Sequence, residues 1–292
     1  MSSLEEHVAT RRSAGLFNFS FMGLYEFDDK SQLQTLQTRN VDALVPGQIA
    51  YTLLLKEDGA VLIDATVWRL DERRFWLFAG KRARYGGRDR SGEYAILALQ
   101  GPASGRILAR VIGAQALSAL KYFRFVHTPL IVGRIGYSGE LGYELLVPAV
   151  DSAAFGRRLL DAGRSEDLRD CTWAAANSLR IEAGYVLFDR EVDGRANPRE
   201  LGLERLAMGR TFPMTRRLVG LEILAEADGD NYPLAQLTSE CFSPTLRKQI
   251  ALGFVAPGIA DGAHVRAGAW LARVARLPFY DPERRRPRAA PL

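Results

Sequence analysis

Residues 134–144 read RIGYSGELGYE, the stretch of this chain with the most specific backbone requirements. Three glycines, Gly136, Gly139 and Gly142, fall within seven positions, and glycine permits positive φ angles and a close backbone approach. Two carboxylates, Glu140 and Glu144, stand four residues apart among them. A carboxylate on such a turn can accept two parallel N–H bonds from a planar, amidine-like edge. The pattern predicts a tight turn that either binds such a group or is a hairpin with exposed acids.

On both sides of this turn, helix-like and strand-like patterns alternate along the chain. Alternating apolar and polar residues predict strands, whereas longer periodic segments with capping residues predict helices. Strands are predicted at 16–25, 50–55, 60–68, 75–78, 94–99, 123–131 and 144–147, and helices at 4–14, 30–39, 103–111, 153–162 and 172–181. From residue 218 onward, short apolar runs separated by Gly, Pro and Asp predict a small all-β domain. The fold class is therefore α+β.

The composition is that of a globular chain of 292 residues, with 47% hydrophobic and 25% charged residues and a formal charge of +5. No apolar run reaches membrane-spanning length. Two distant cysteines, Cys171 and Cys241, and three scattered histidines predict neither a disulfide framework nor a metal site. The arginine runs are short and far apart, so no nucleic-acid partner is predicted. With no signal-peptide pattern, the chain is expected to be cytoplasmic and without a membrane partner.

Further motifs occur in a fixed order along nearly the whole chain. They read EHxxxRxxAGLFNFSFM at 6–22, YTLL at 51–54, ALQGP at 98–102, SLRIEAGY at 178–185, NPxExGL at 197–203, TSxxxSPTL at 238–246 and PFY at 278–280. Together with residues 134–144, they resemble the motifs of the folate-dependent glycine cleavage T-protein (aminomethyltransferase) family. Because their order is collinear, we expect a divergent and shortened member of this family.

The resemblance implies a three-lobed, clover-leaf fold of the α+β class. Two interleaved α+β lobes and a C-terminal all-β, barrel-like domain are expected to surround a central hole that holds tetrahydrofolate. We expect residues 1–210 to form the folate-binding region, with one lobe at about 1–40 together with 123–210 and the other at 41–122. Residues 211–284 would form the β domain, and residues 285–292 a disordered tail.

The same resemblance implies a set of folate-binding residues. Glu144, the second carboxylate of residues 134–144, occupies the family position that grips the pterin edge. Tyr137 and Tyr280 are the neighbouring aromatic candidates, with core packing as the alternative for each, and Arg180 of the SLR motif is a further cofactor-binding candidate. The expected cofactor is tetrahydrofolate or its 5-methyl or 5,10-methylene derivative, and no metal is expected.

One departure from the family pattern affects the predicted chemistry. The family segment NAxNxxKD supplies a carboxylate for one-carbon chemistry, and Gly86 stands here at the position of its Asp. Asp64, at the family's D-D position, and Asp89, on the shortened loop 80–92, are the candidate acids or bases. Arginines of this loop are predicted to meet an anionic substrate or the folate tail, unless the loop is a solvated surface turn.

We therefore expect a tetrahydrofolate-dependent methyl or methylene transferase that acts on a small-molecule donor or acceptor. Aminomethyl transfer from a lipoyl carrier protein is not expected, because Gly86 replaces the family's Asp. The alternatives are a non-catalytic folate-binding scaffold or regulatory protein, and a structural relative that has lost folate.

Overall fold

The computed structural model describes residues 2–229 and 231–292. Its helices α1 to α6 are, in chain order, Ser3–Arg12, Lys30–Leu36, Ser104–Ile112, Gln115–Ser118, Ser152–Ala162 and Trp173–Glu182. Helix α1 begins where the sequence requires, because the Ser2 and Glu5 side chains each accept a hydrogen bond from the other residue's backbone N–H. None of the helices in the described part of the chain has the length and apolar character of a membrane span.

The strands form two sheets and a barrel. In chain order, β1 to β16 are Gly15–Asn18, Gly23–Phe27, Ile49–Leu55, Val61–Arg69, Phe75–Ala79, Arg88–Asp89, Tyr94–Gln100, Phe125–His127, Ile131–Gly133, Gly142–Pro148, Arg169–Asp170, Arg217–Glu226, Leu234–Ser243, Lys248–Val255, His264–Ala267 and Trp270–Ala275.

The first sheet has the strand order β11-β1-β7-β10-β9-β8. At its centre β7 pairs antiparallel with both β1 and β10. Successive side chains of a strand point to opposite faces. Tyr143 and Leu145 of β10 accordingly pack in the core that includes α3 and α5, whereas Leu146 packs in a different core. Glu144 shares the face of Leu146, so the alternation directs its carboxylate away from the helices.

The second sheet has the strand order β3-β4-β5-β2-β6. It shares an aromatic core with the first sheet, to which it contributes Trp68 and Phe78 while the first contributes Phe17 and Ile96. The two sheets approach so closely that a Cβ atom on Gly133 of β9 would overlap the Trp68 ring. This contact brings the open face of β10 next to the second sheet.

The strand partners divide the chain at different points from the expected lobes of 1–40 with 123–210 and of 41–122. Strand β2 lies in the first expected lobe but pairs with β5 and β6 of the second sheet. Strand β7 lies in the range 41–122 but pairs with β1 and β10 of the first. The chain therefore crosses between sheets after β1 and again before β7. Local periodicity predicts a strand but not its distant partner, which is why the expected lobe limits differ.

The C-terminal part of the chain forms the predicted all-β domain. Strand β12 pairs with β14 and β16, β13 pairs with β14 and β15, and β15 pairs with β16, which closes the circle. Val219, Leu221, Ala251, Val265 and Val274 fill its interior. The observed combination of two connected α+β sheets with a β barrel confirms the predicted α+β class with a C-terminal all-β domain.

Residues 285–292, for which the sequence predicts a disordered tail, contact the rest of the fold. Arg286–Arg288 forms a short 3-10 turn in which Pro287 is buried. Arg134, which begins the glycine-rich stretch, donates hydrogen bonds to the carbonyls of Leu120 (2.8 Å) and Ala289. The polar composition of the segment predicted solvation, but contacts with residues far away in the sequence hold it against the fold.

Candidate functional site

A cavity of about 870 Å³ lies where the two sheets, the loop after α6 and the barrel meet. Two carboxylates reach it from the sheets, Asp64 from β4 and Glu144 from β10. Cavities of ~300–1,000 Å³ are typical of small-molecule and cofactor sites. Much of the wall is aromatic, formed by Phe19, Tyr51, Tyr122, Tyr137, Trp173, Tyr185 and Phe188.

The carboxylate of Glu144 is buried without a protein partner. The residue is 7% exposed, and within the described parts of the chain no group donates a hydrogen bond to its side chain. Burial alone raises the pKa of Glu144 from 4.5 to about 7. A buried carboxylate without partners costs stability. A ligand that brings N–H donors or a positive charge would remove this cost.

Glu140, the other carboxylate of the glycine-rich stretch, has a structural environment instead. It accepts hydrogen bonds from Arg11 (3.1 Å) and from the Tyr280 hydroxyl (2.7 Å) and does not line the cavity. Gly139, whose φ of +81° favours glycine, directly precedes Glu140 in the turn, and Glu144 follows in β10. Glu140 is therefore in a buried ion pair at the turn, whereas strand β10 places Glu144 at the cavity.

Asp64 faces Glu144's cavity from the second sheet. Its Oδ2 accepts a hydrogen bond from the Tyr51 hydroxyl (3.0 Å), and burial raises the pKa of the carboxyl from 3.8 to about 6. Its Oδ1 faces the space beside Gly80, where a Cβ atom would lie 3.7 Å from it and 2.9 Å from the Phe188 ring. The missing side chain at residue 80 keeps one carboxylate oxygen accessible.

Asp89, the second predicted acid or base, does not join Asp64. It is exposed on β6, and Ser91 holds the pKa of its carboxyl below the ordinary value through its side chain and through its backbone N–H, which donates to Asp89 at 2.8 Å. Of residues 80–92, Gly80 is the one that lines the cavity among those described. The loop arginines therefore do not face it. Gly86 lies beside Gln32 of α2, away from the cavity wall.

Tyr137 lies in the cavity wall, where the sequence predicted an aromatic group. Its hydroxyl donates to the carbonyl of Val186 (2.6 Å), and its ring stacks against Trp173 and Tyr185 with centroid distances of 6.4 and 5.8 Å. These contacts fix the ring plane. The residue therefore packs against its neighbours and also bounds the cavity, and its contact with a cofactor stays a prediction.

Tyr280 and Arg180 lie instead at the junction with the barrel, and neither lines the cavity. Tyr280 bonds to Glu140, whereas Arg180 is 1% exposed and forms an ion pair with Glu191 (2.7 Å) and a hydrogen bond to Ser239 (2.6 Å). This geometry does not bring them to a ligand beside Glu144. The motif that suggested Arg180 as a cofactor-binding residue does not specify on which side of α6 its side chain lies.

Several arginines in the cavity wall were not predicted. Arg217 and Arg276 both pair with Asp261. The other four have no carboxylate partner in the described parts of the chain. The four arginines without a carboxylate partner are Arg39, Arg205, Arg284 and Arg288. In a chain so rich in arginine, no sequence pattern distinguishes these positions, apart from the arginine run at the C-terminus.

Fold and site together define a class: a three-part α+β protein with a barrel, whose central cavity combines an unpaired carboxylate with aromatic walls and excess arginine. No group of His, Cys, Asp and Glu side chains in residues 2–229 and 231–292 is arranged to hold a metal ion. Residues 1–208 match the GCVT N-terminal domain, and residues 216–281 match the glycine cleavage T-protein C-terminal barrel domain. The chain belongs to the glycine cleavage T-protein family, as its motifs predicted.

Similar proteins support this assignment over nearly the full length. The chain is 35% identical to an aminomethyltransferase of Symbiobacterium thermophilum, with 98% of this chain and 91% of the relative covered. It is 31% identical to an aminomethyltransferase of Halothermothrix orenii, covering 95% and 91%. The glycine cleavage system aminomethyltransferase T from Bartonella henselae has a similar structure, with a TM-score of 0.80, 25% identity, and 96% and 90% coverage. The family comprises transferases that use tetrahydrofolate.

Proposed function

We propose that this chain binds tetrahydrofolate in the central cavity and catalyses transfer of a one-carbon unit from an aminomethyl group. The observation that carries the proposal is the unpaired, buried carboxylate of Glu144 beside aromatic walls. A carboxylate matches the neighbouring N–H donors of a 2-aminopterin edge, and stacked aromatic rings match its flat face. Tetrahydrofolate, when bound, supplies the nitrogens that carry the one-carbon unit.

The charges around the cavity support a ligand with a donor edge at one end and carboxylates elsewhere. Glu144 and Asp64 provide acceptors, whereas Arg39 and Arg205 add positive charge that no protein carboxylate neutralises among the described residues. Guanidinium groups bind carboxylates with two parallel hydrogen bonds. Folate has both kinds of group, because its pterin donates N–H bonds and its glutamyl tail is anionic.

Asp64 is proposed as the carboxylate that handles charge and protons. With a pKa of about 6 it is mainly ionised at neutral pH, so it stabilises positive charge that develops near the donor nitrogen. Tyr51 holds Oδ2, which leaves Oδ1 to accept or return a proton beside Gly80. Asp64 is therefore proposed as a positioned base.

An aromatic path supports approach of the donor toward Asp64. Trp173 and Phe21 are 41% and 40% exposed, and their ring centroids are 5.2 Å apart. Phe21 is 6.4 Å from Phe188, which borders the space at Gly80. An apolar arm or a methylated amine suits such a path, because aromatic faces bind both.

The prediction of a small-molecule donor rested on Gly86, the residue at the position of the family's Asp. Gly86 lies beside α2 and not in the cavity, whereas Asp64 lines it. The absence of an acid at residue 86 is therefore a weak argument against aminomethyl chemistry. The relatives' name favours an aminomethyl donor. We propose an aminomethyl group on a lipoyl carrier protein as this donor, with a small N-methyl amine as the alternative.

The test offers both donors to the purified chain with tetrahydrofolate. Ammonia and the one-carbon folate product are measured separately. Formation of both from an aminomethyl-lipoyl carrier supports the proposal, whereas turnover with the small amine alone would assign the chain to the small-molecule transferases. Folate binding without turnover of either donor would favour the non-catalytic scaffold, and absence of folate binding would overturn the proposal.

A further inference from the structure

The segment after α6 folds into a compact turn at residues 187–192, here called the 187–192 turn. The carbonyl of Leu187 accepts a hydrogen bond from the backbone N–H of Val192 (3.1 Å), and the carbonyl of Val192 accepts one from Asp189 (3.0 Å). Buried Glu191 accepts from the backbone N–H of Leu187 (2.9 Å) and forms an ion pair with a guanidinium group of α6. The base of the turn is therefore fixed to the body of the protein.

The inner side of this turn faces Asp64 across a glycine. Phe188 lines the cavity, and its Cδ1 atom would lie 2.9 Å from a Cβ atom on Gly80. The same Cβ atom would lie 3.7 Å from Oδ1 of Asp64, the oxygen that the Tyr51 hydrogen bond leaves open. The Phe188 ring therefore limits the space beside this oxygen.

The outer end of the turn is held by an exposed ion pair. Lys81, which directly follows Gly80, donates from Nζ to both carboxylate oxygens of Asp189, at 2.7 and 2.9 Å. The same Nζ lies 5.7 Å from the centroid of the Phe188 ring. The two paired side chains are 42% and 69% exposed, and ion pairs with such exposure contribute little stability. A contact of this kind can open without unfolding the protein.

Both members of the ion pair are positioned by the structure around them. Asp189 has a φ of +59°, in the left-handed region that residues other than glycine seldom adopt. Such a conformation costs free energy and persists where surrounding contacts determine it. On the opposite side, Arg82 donates to the carbonyls of Ser20 (2.7 Å) and Ser91 (3.2 Å), which fixes the backbone beside Lys81. The pair is therefore a specific contact between two fixed segments.

We propose that the 187–192 turn is a lid that selects the donor by size. Phe188 is its specificity-determining residue, and the Lys81–Asp189 ion pair is its latch. This inference rests on the proposed function, in which the donor reaches the open oxygen of Asp64. With the latch closed, Phe188 leaves room beside that oxygen for an unsubstituted donor nitrogen. A bulky substituent on the nitrogen requires the ring to move, and this movement opens the latch.

The first measurement compares two donors in the presence of tetrahydrofolate. It determines kcat/KM for the donor that wild type turns over and for the same donor with a benzyl group on its nitrogen. Wild type should prefer the unsubstituted donor at least about tenfold, and Phe188→Ala should lose most of that preference. Asp189→Asn and Lys81→Met should reduce the preference about two- to fivefold, because the latch is an exposed ion pair.

The variants are chosen to separate charge from backbone effects. Asparagine also adopts left-handed φ angles, so Asp189→Asn removes the charge of the latch and retains the turn. Lys81→Arg keeps the positive charge and should retain most of the donor preference. Arg190→Gln, exposed on the same turn, is the matched control and should behave as wild type.

The second measurement requires neither folate nor turnover. Phe188 is replaced by para-fluorophenylalanine, whose fluorine resonance reports the surroundings of the ring. We expect the same resonance in wild type and in Arg190→Gln, and a shifted or broadened one in Asp189→Asn and Lys81→Met. High salt should move the wild-type resonance in the same direction, because salt screens exposed charges.

The two measurements together distinguish failure of the lid from failure of the proposed function. An unchanged fluorine resonance in both latch variants would overturn the lid, and a changed donor preference would then reflect charge near the donor. A shifted resonance with an unchanged preference would show that the turn moves but does not select the donor, which contradicts the proposal. Absence of turnover with every donor in wild type would overturn the proposed function, and donor selection with it, whatever the resonance shows.

Discussion

Two glutamates four residues apart in the glycine-rich stretch, Glu140 and Glu144, differ in whether they have protein partners. Glu140 is neutralised by Arg11 and bonded by Tyr280, whereas Glu144 is buried with no donor among the described residues. Burial raises the pKa of both carboxyls, but the partners of Glu140 offset part of its burial cost, whereas Glu144 has no such partner and its cost is one that a ligand can recover. A buried group that destabilises the free protein is typical of a binding site, where evolution retains it for function.

Glu144→Gln should weaken tetrahydrofolate binding at least about tenfold, or ~1.4 kcal/mol, because it removes the anionic acceptor. The same change should stabilise the free protein at about pH 8. The pKa of Glu144 is raised to about 7, so its ionisation opposes folding as the pH rises from its unfolded value of 4.5 to about 7. The largest possible gain is about 3 kcal/mol.

Glu140→Gln is the matched control in the same glycine-rich stretch. It leaves Arg11 with a weaker partner in a buried site, so we expect a lower melting temperature and unchanged folate affinity of the folded protein. Calorimetry and thermal unfolding of both variants check the pair. Equal folate affinity in wild type and Glu144→Gln would contradict the assigned anchor.

Asp64→Asn should lower kcat by ~10²–10⁴-fold while folate affinity changes little, because a neutral amide cannot accept a proton. In wild type, kcat/KM should rise with pH through about 6, the pKa to which burial raises Asp64. Asp89→Asn, on the exposed β6, is the control and should retain wild-type rates. A pH profile that is flat between about pH 5 and 7 would argue against Asp64 as the base.

Tyr51→Phe offers a second test of Asp64. The Tyr51 hydroxyl donates to Oδ2 and lowers the pKa of Asp64, so its removal should raise that pKa. We expect the rising limb of the pH profile to shift to higher pH with the plateau rate largely retained. A limb that stays in place would show that another group controls it.

At the scale of elements, the site depends on how two sheets face each other. Strand alternation directs Glu144 to the open face of β10, and the aromatic core around Trp68 and Phe78 sets the distance to the second sheet, which carries Asp64. Neither sheet forms the cavity alone. The residue that permits their approach is Gly133, where any side chain would meet the Trp68 ring.

Gly133→Ala should therefore destabilise the protein by ~1–3 kcal/mol, since the buried indole has to move to admit a methyl group. Gly156→Ala in α5 is the matched control. Its added Cβ would meet only Leu97 at 4.0 Å, and alanine favours the helix by ~0.5–1 kcal/mol. Chemical denaturation of both variants measures the difference, and equal stability would contradict the described sheet contact.

At the scale of the whole molecule, the barrel joins the sheets through buried polar contacts. Arg180 of α6 binds Glu191 and Ser239 of β13, and Glu191 also accepts from Thr238 (2.6 Å). A second group joins α1 to the barrel, since His7 bonds to Thr245 (3.0 Å). The junction fixes the barrel arginines relative to the carboxylates of the sheets, so the dimensions of the cavity depend on it.

Arg180→Met should destabilise the protein by ~3–5 kcal/mol, because it leaves Glu191 buried without its counter-ion. The double variant Arg180→Met with Glu191→Met should recover much of this loss. Since Arg180 does not line the cavity, the folate affinity of the folded single variant should change less than threefold. This corresponds to a change of less than ~0.7 kcal/mol in binding free energy. A large affinity loss with normal stability would restore Arg180 as a folate ligand.

The sequence by itself determined the family, the α+β class with its C-terminal β domain, and the position of Glu144 directly after a glycine-rich turn. These features depend on local spacing: strand periodicity, glycines that permit a tight turn, and motifs that occur in a fixed order. The sequence also indicated Tyr137 and Asp64 as candidate site residues, because each lies within a motif or beside one.

Only the tertiary structure decided which of these residues share a cavity. It brought Asp64 to the cavity of Glu144 and left Asp89 in solvent, it enclosed Arg180 and Tyr280 at the barrel junction, and it buried Pro287 near the C-terminus. The physical reason is that a side chain's burial and partners come from segments distant in sequence. Pairing of β7 with β10 and binding of Ala289 by Arg134 are long-range contacts that no local pattern encodes.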